Sequence, residues 1–396
     1  MSTRSLHAPD EQPVTFVELF FDLVFVFAVT QITASTAHDL TWPGAARSVL
    51  LFWLIWWAWT QFTWSLNPAD TLHRAVRAIT LTATLVAFVM AASVPRAFAD
   101  DALWFAIPYV VVRALGLWLQ VAVDRERGVD DERLILRWAA GSTVGLVLVV
   151  VGALVDPPAR NWIWLLVIAA DLAAATAASR GKTWDLTPGH VSERHGLFVI
   201  IALGESLILA GSAVAQNDRT ASLVLVALAA TTMMALLWWT YFDWYKEALE
   251  HGLASAPPSH IGRLTRDAFS LAHFVLVTGI VFIAAAVEEI VLHPDEPAPR
   301  KVLVSLGGGL VLLLGATVLA FWRTHRVLLA RRLGVTLATA AVVVSLPETE
   351  PAVALAVAAA GVLVLVVVEG DPSASIHATA HTDVHGDAAP AGSAGE

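Results

Sequence analysis

Long apolar runs, broken at short intervals by polar clusters, dominate the chain. A helix needs about 20 apolar residues to cross the hydrocarbon core of a bilayer. Runs near that length recur at residues 14–35, 47–66, 76–95, 102–123, 136–155, 161–179, 195–215, 221–244, 268–291, 302–322, 332–346 and 351–368. The pattern predicts an all-α integral membrane protein of about twelve transmembrane helices, of which 332–346 is the shortest. Residues 1–13 are polar and read as a cytoplasmic segment. No cleavable signal is expected, because Glu18 and Asp22 interrupt the first run where a signal sequence would be purely apolar. Residues 369–396 are rich in Ala, Gly, Ser and His and are expected to form a disordered cytoplasmic tail. In that tail His377, His381 and His385, with Asp383 and Asp387, would gather a divalent metal only if it became helical; a solvated tail is the simpler reading.

The polar breaks carry direction. Of 24 Lys and Arg, sixteen fall after even-numbered runs and six after odd-numbered ones, with Arg4 ahead of the first run and Arg113 inside the fourth. Positive residues favour the cytoplasmic side, so both termini are expected in the cytoplasm. The runs also repeat. "AWTQFTW" (58–64) and "WWTYFDW" (238–244) share Trp, Thr, Phe and Trp in one register, "HRAVR" (73–77) matches "GRLTR" (262–266), and "FVELFFD" (16–22) matches "FVIIALGE" (198–205). Three matches in order predict two parallel six-helix repeats, 14–179 and 195–368, joined by a cytoplasmic linker at 180–194.

Composition agrees with a membrane location: 57% of residues are apolar and 15% charged, with 16 Trp. Cysteine is absent, which excludes disulfides and thiolate chemistry. The net charge of -10 argues against a nucleic-acid partner. The expected partners are the lipid bilayer and a proton, cation or small solute, and a homo-oligomer is compatible with this reading.

Candidate chemistry lies in the ionisable residues inside the runs, each of which must pair, neutralise or face water. These are Glu18, Asp22, Arg113, Asp171, Glu205 and His273. The acids outnumber Arg113, the one cation deep in a run, so protonated, hydrated or cation-matched carboxylates are expected. That is what a proton relay or cation pathway requires; the rival is a static polar network that fastens helices. Asp171, among small residues, is the natural partner of Arg113. Asp22 and Glu205 are the leading functional candidates, as equivalent acids of two halves, and Glu18 is the lesser of the first pair. His273 most simply hydrogen-bonds a carbonyl. The Trp-rich stretch "FWLIWWAWTQFTW" (52–64) suits helix packing or an interfacial belt. No enzyme is expected and no cofactor. "GESL" (204–207) has a Gly-x-Ser spacing, but Glu205 and the lack of a Gly-rich oxyanion segment argue against a serine hydrolase.

The segments "ELFFDLVFVFAVTQ" (18–31) and "HVSERHGLFVIIALGES" (190–206) resemble those of the bacterial low temperature requirement A (LtrA) family, and the resemblance extends over essentially all the runs. His195 stands where a ring residue such as Phe or Tyr is expected. Membership implies a polytopic membrane protein named for a growth phenotype, with a role in stress or temperature adaptation as the non-transport alternative. More distantly, the first motif is similar in layout to the Phe-Ser-Asp segment of the six-plus-six potassium channels that lack a conventional selectivity loop. There that helix lines the pore. Here "FFD" lacks the serine and the seventh run has "GES".

Overall fold

A computed structural model of the chain describes residues 5–8, 13–99, 101–126, 132–178, 184 and 186–369. The His- and Asp-containing tail beyond Glu369 lies outside the described residues, as do residues 180–183 and 185 of the predicted linker 180–194. The described residues form α1 (Phe16–His38), α2 (Trp42–Leu66), α3 (Arg74–Ala92), α4 (Ala102–Glu126), α5 (Glu132–Ala153), α6 (Ala159–Ala178), α7 (Pro188–Gln216), α8 (Ala221–Phe242), α9 (Tyr245–Ala254), α10 (Pro258–Leu264), α11 (Ala272–Leu292), α12 (Arg300–His325), α13 (Ala330–Ser345) and α14 (Pro351–Glu369). Among them, eight helical stretches are long and apolar enough to cross a membrane: α1, α3, α4, α7, α8 with α9, α10 through α11, α12 and α14. Helices also occupy the remaining predicted runs, as α2, α5, α6 and α13. With 16 residues, α13 is short for a bilayer. α2 is long enough but carries Trp, Thr, Gln and Ser along much of its length.

Local signals start and stop these helices. Thr15 precedes α1, and Glu18 three residues on reaches back to its backbone and hydroxyl, a capping box. Thr41 caps α2 by accepting from Gly44 N at 3.2 Å, and Thr220 does the same for α8 through Leu223 N. Between α1 and α2, a hydrogen bond from Thr41 and then the Arg47 guanidinium hold the Asp39 carboxyl below its ordinary range. A π-helical turn at Thr265–Leu271 joins α10 to α11. Its wider i+5 pattern turns carbonyls toward side chains: Ala268 O faces His273 Nδ1 at 2.8 Å, and Ser270 O accepts from Trp56 Nε1 at 2.6 Å.

α11 is the most enclosed span and packs on α12, α7 and α1. Large apolar side chains face outward instead on the peripheral helices, among them Leu85, Trp104, Leu228 and Val367, as a lipid-facing surface requires. Within the core the Trp-rich stretch of α2 is a packing element: Trp53, Trp56 and Trp59 are all buried. A buried indole needs an N–H acceptor, and each of the three finds a different one.

Polar fastening is also visible at α13. Arg332 is fully buried and donates to both carboxylate oxygens of Glu369 at 2.6 Å, to Thr317 Oγ1 at 2.9 Å and to Thr240 O at 3.0 Å, while stacking near Trp244 and Tyr245. One side chain therefore ties together α8, α9, α12, α13 and α14. Arg332→Ala is expected to destabilise the protein by about 3 kcal/mol or more, since breaking a buried pair strands its carboxylate. Thermal unfolding of the purified protein in detergent measures this, and an unchanged midpoint would contradict the clamp.

Candidate functional site

Residues four apart share a helix face. On α1 that spacing puts Glu18 and Asp22 together, and on α7 it puts His190 and Arg194 together. The two faces meet. Glu18, Asp22 and Arg194 have no solvent-exposed surface, and His190 has almost none. Arg194 Nη1 lies 3.4 Å from Glu18 Oε1, and Nη2 donates to Asp22 Oδ1. His190 Nε2 lies 3.0 Å from Glu18 Oε1. Glu18 Oε2 is held by its own helix start, accepting from Thr15 N at 2.9 Å and Thr15 Oγ1 at 2.8 Å. Trp59 Nε1 donates to Asp22 Oδ1 at 2.7 Å, and the Arg194 guanidinium lies 5.7 Å from the Trp59 ring centre. Asp22 Oδ2 has no protein partner.

The tautomer of His190 follows from its neighbours. Thr187 N donates to Asn67 Oδ1 at 2.8 Å, which fixes the amide so that Nδ2 points at His190 Nδ1, 3.2 Å away. His190 Nδ1 is then an acceptor, and the neutral ring carries its proton on Nε2, facing Glu18. With His190 neutral, two carboxylates share one guanidinium, so the fully ionised cluster carries one negative charge in excess. Such a charge, buried without compensation, is costly. The atom free to take a proton or a cation is Asp22 Oδ2.

A second buried pair joins α4 to α6. Arg113 on α4 approaches Asp171 Oδ1 on α6 at 3.5 Å and donates to Tyr109 Oη at 3.1 Å. Trp53 Nε1 is 3.4 Å from Asp171 Oδ2. All of these groups are buried. Glu205 sits apart from both pairs. It is half-buried on α7, and its charge is felt at Glu288, together with those of Glu289 and His38. His38 ends α1, roughly 24 Å of helix rise from Asp22, so these acids lie toward the opposite end of the helix from Glu18. His273 is satisfied on both nitrogens, facing Tyr241 Oη and Ala268 O at 2.8 Å each, and stacks on Phe269. His195 packs edge-on to the His273 and Trp59 rings with Nδ1 on Val191 O.

Several sequence expectations change here. Arg113 is not the one buried cation: among the described residues Arg194 and Arg332 are completely buried and Arg160 nearly so. Arg194 falls at the edge of the segment read as a linker, yet α7 begins at Pro188 and carries it into the core. The ionic partner of Asp22 is Arg194, and Glu205 is remote from it. Glu18 is as central as Asp22. The available signal was the paired i, i+4 spacing of His190 and Arg194 behind a proline, a residue favoured in the first turn of a helix.

The fold and its buried charges define a polytopic α-helical membrane protein. The model of the bacterial low temperature requirement A protein (LtrA) matches residues 13–368, and the chain belongs to that family. It is also 30% identical over 342 residues to an uncharacterized protein of Rhizobium meliloti (strain 1021), covering 84% of this chain and 83% of that one. No solved structure matches the chain.

Proposed function

We propose that the protein is a proton-linked transporter or channel for a cation or small solute in the bacterial inner membrane, with Glu18, Asp22, Arg194 and His190 as its proton-handling group. The observation that carries this reading is the charge count: two buried carboxylates, one guanidinium and a neutral imidazole, with Asp22 Oδ2 unpartnered. One proton brings the group to neutrality, so moving that proton changes the charge of the α1–α7 contact. Glu205, Glu288 and Glu289 would gather cations toward the other end of α1. Arg113 and Asp171 support the pathway, and His273 packs rather than relays. The protein is not an enzyme in this reading.

Twelve helices in two parallel halves suit the proposal. Corresponding neighbours recur: α1 with α3 and α7 with α11, α3 with α4 and α11 with α12, α5 with α6 and α13 with α14. The likeness of α1 to the first helix of the six-plus-six potassium channels supports a helix that lines the pathway, and the Lys and Arg distribution supports cytoplasmic termini. The rival is a scaffold or temperature-adaptation sensor in which the same charges are fixed.

Purified protein in liposomes distinguishes the two. Proton uptake driven by a membrane potential is expected to fall at least tenfold in Asp22→Asn and by a smaller factor in Glu205→Gln. Flux unchanged in both variants would remove these residues from the pathway. No flux of any ion or solute through the native protein would favour the scaffold.

A further inference from the structure

A groove of about 570 Å³ runs along α12, bounded also by the α1–α2 turn and by Phe282 of α11. Its α12 wall is one helix face: Lys301, Val304, Gly308 and Leu312 follow one another at spacings of three and four residues. From Arg300 to Leu312 the rise is roughly 18 Å, close to the depth of one leaflet of a hydrocarbon core about 30 Å thick. Gly308 forms part of the floor. It is exposed, and a Cβ there would meet nothing within 4 Å, so the groove opens sideways toward lipid, midway along a helix apolar enough to span the membrane. Its mouth is different in character. Arg300, Lys301 and Thr41 stand there, beside Trp42, which is 81% exposed. An exposed indole at the start of a membrane helix suits the headgroup level.

Among the described residues that line the groove, none is acidic. Nearby acids are engaged outside it: Asp39 pairs with Arg47 at 2.6 Å, Glu289 with Lys301 at 3.3 Å, and the charged neighbours of Glu288 are His38, Glu205 and Glu289. Lys301 therefore adds donors but no net charge. Arg300 adds charge as well, because it is exposed and meets the Leu346 carbonyl at 3.5 Å, which leaves its guanidinium able to take an anion. An occupant must be anionic at the mouth, apolar for the depth of a leaflet, and able to enter from the bilayer. We propose that the groove binds one anionic glycerophospholipid, its phosphate on Arg300 and Lys301 and an acyl chain laid over Gly308 and Leu312. The lipid bridges the α1–α2 turn to α12. This site rests on the membrane setting alone and is independent of proton transport.

The test is lipid binding by the delipidated full chain in a neutral detergent, with lipid-bound species counted by native mass spectrometry. Dioleoyl phosphatidylglycerol and dioleoyl phosphatidylcholine share their chains and differ in head charge. One phosphatidylglycerol per chain is expected to bind, at least tenfold more tightly than phosphatidylcholine. Gly308→Trp, which puts a ring into open space rather than against backbone, is expected to abolish that binding while unfolding at the native temperature in lipid-free detergent. The Arg300→Gln, Lys301→Gln double variant is expected to bring the two lipids within twofold of each other. Arg74→Gln, which removes an exposed cation at the start of α3, is expected to change neither. Glycerol phosphate in large excess is not expected to compete, since it lacks the chain. Equal binding of the two lipids by the native protein, or no saturable binding of either, would overturn the proposal. So would tight phosphatidylglycerol binding that survives Gly308→Trp, a preference that survives the double charge substitution, or competition by glycerol phosphate. A doubled mass that Gly308→Trp returns to the single chain would put a second copy in the groove and overturn it too.

Discussion

Arg194→Ala is expected to cost about 3–5 kcal/mol of stability, because removing one partner of a buried ion pair leaves charge without compensation. Here the loss is doubled in kind. Glu18 and Asp22 are both fully buried and both depend on this guanidinium. Glu18 would keep the Thr15 bonds and the His190 contact, whereas Asp22 would keep only the Trp59 indole. Asp22 is therefore the more stranded acid. The Arg194→Ala, Asp22→Asn double variant is expected to regain a substantial part of the lost stability, which distant sites would not show. Arg194→Lys is expected to fall between native and alanine, since an ammonium keeps the charge but cannot bridge two carboxylates as the guanidinium fork does. Thermal unfolding in detergent reads all three. If the double variant is as unstable as the sum of its parts, the ionic link between α1 and α7 is wrong.

How much of this is legible in sequence depends on whether the signal is local. Apolar run length is local, and a helix stands in every run it predicts. The Arg113–Asp171 pair is legible because each group is isolated in apolar surroundings and needs a partner. Arg194 is not. It lies in "HVSERHG", whose composition reads as a polar connection, and only the packing of α7 against α1 encloses it. Arg332 is hidden for the same reason, at the start of a short helix beside Arg331. The roles of Trp53 and Trp59 are equally non-local: an indole on α2 has many acceptors within reach, and sequence does not say that one will hold Asp171 and another Asp22. The π turn has no composition signal at all, because it is a hydrogen-bond register and not a residue preference.

The glycine contact between α11 and α12 gives the sharpest packing prediction, and its control lies on one of the same two helices. Membrane helices gain little from the hydrophobic effect against lipid, so they associate through close backbone approach at small residues. Gly279 on α11 and Gly309 on α12 make such an approach. A Cβ at Gly279 would lie 2.4 Å from Leu313 N and 2.6 Å from Gly309 O, and one at Gly309 would lie 2.8 Å from Gly279 O. These are backbone atoms, which can yield only if the helices separate. Gly279→Ala is therefore expected to destabilise by about 3 kcal/mol, at the upper end of ordinary overpacking, and Gly279→Leu by more. Gly308 and Gly315, also on α12, have open space where a Cβ would stand. Alanine there should be neutral or stabilising by up to about 1 kcal/mol through helix propensity alone. Because α11 also packs on α1 and α7, forcing it away from α12 should strain the contact that holds the Glu18–Asp22–Arg194 group. Gly279→Ala is thus expected to reduce proton flux as well as stability, while Gly308→Ala changes neither. Equal unfolding temperatures for the two alanine variants would show that this backbone contact does not set the position of α11.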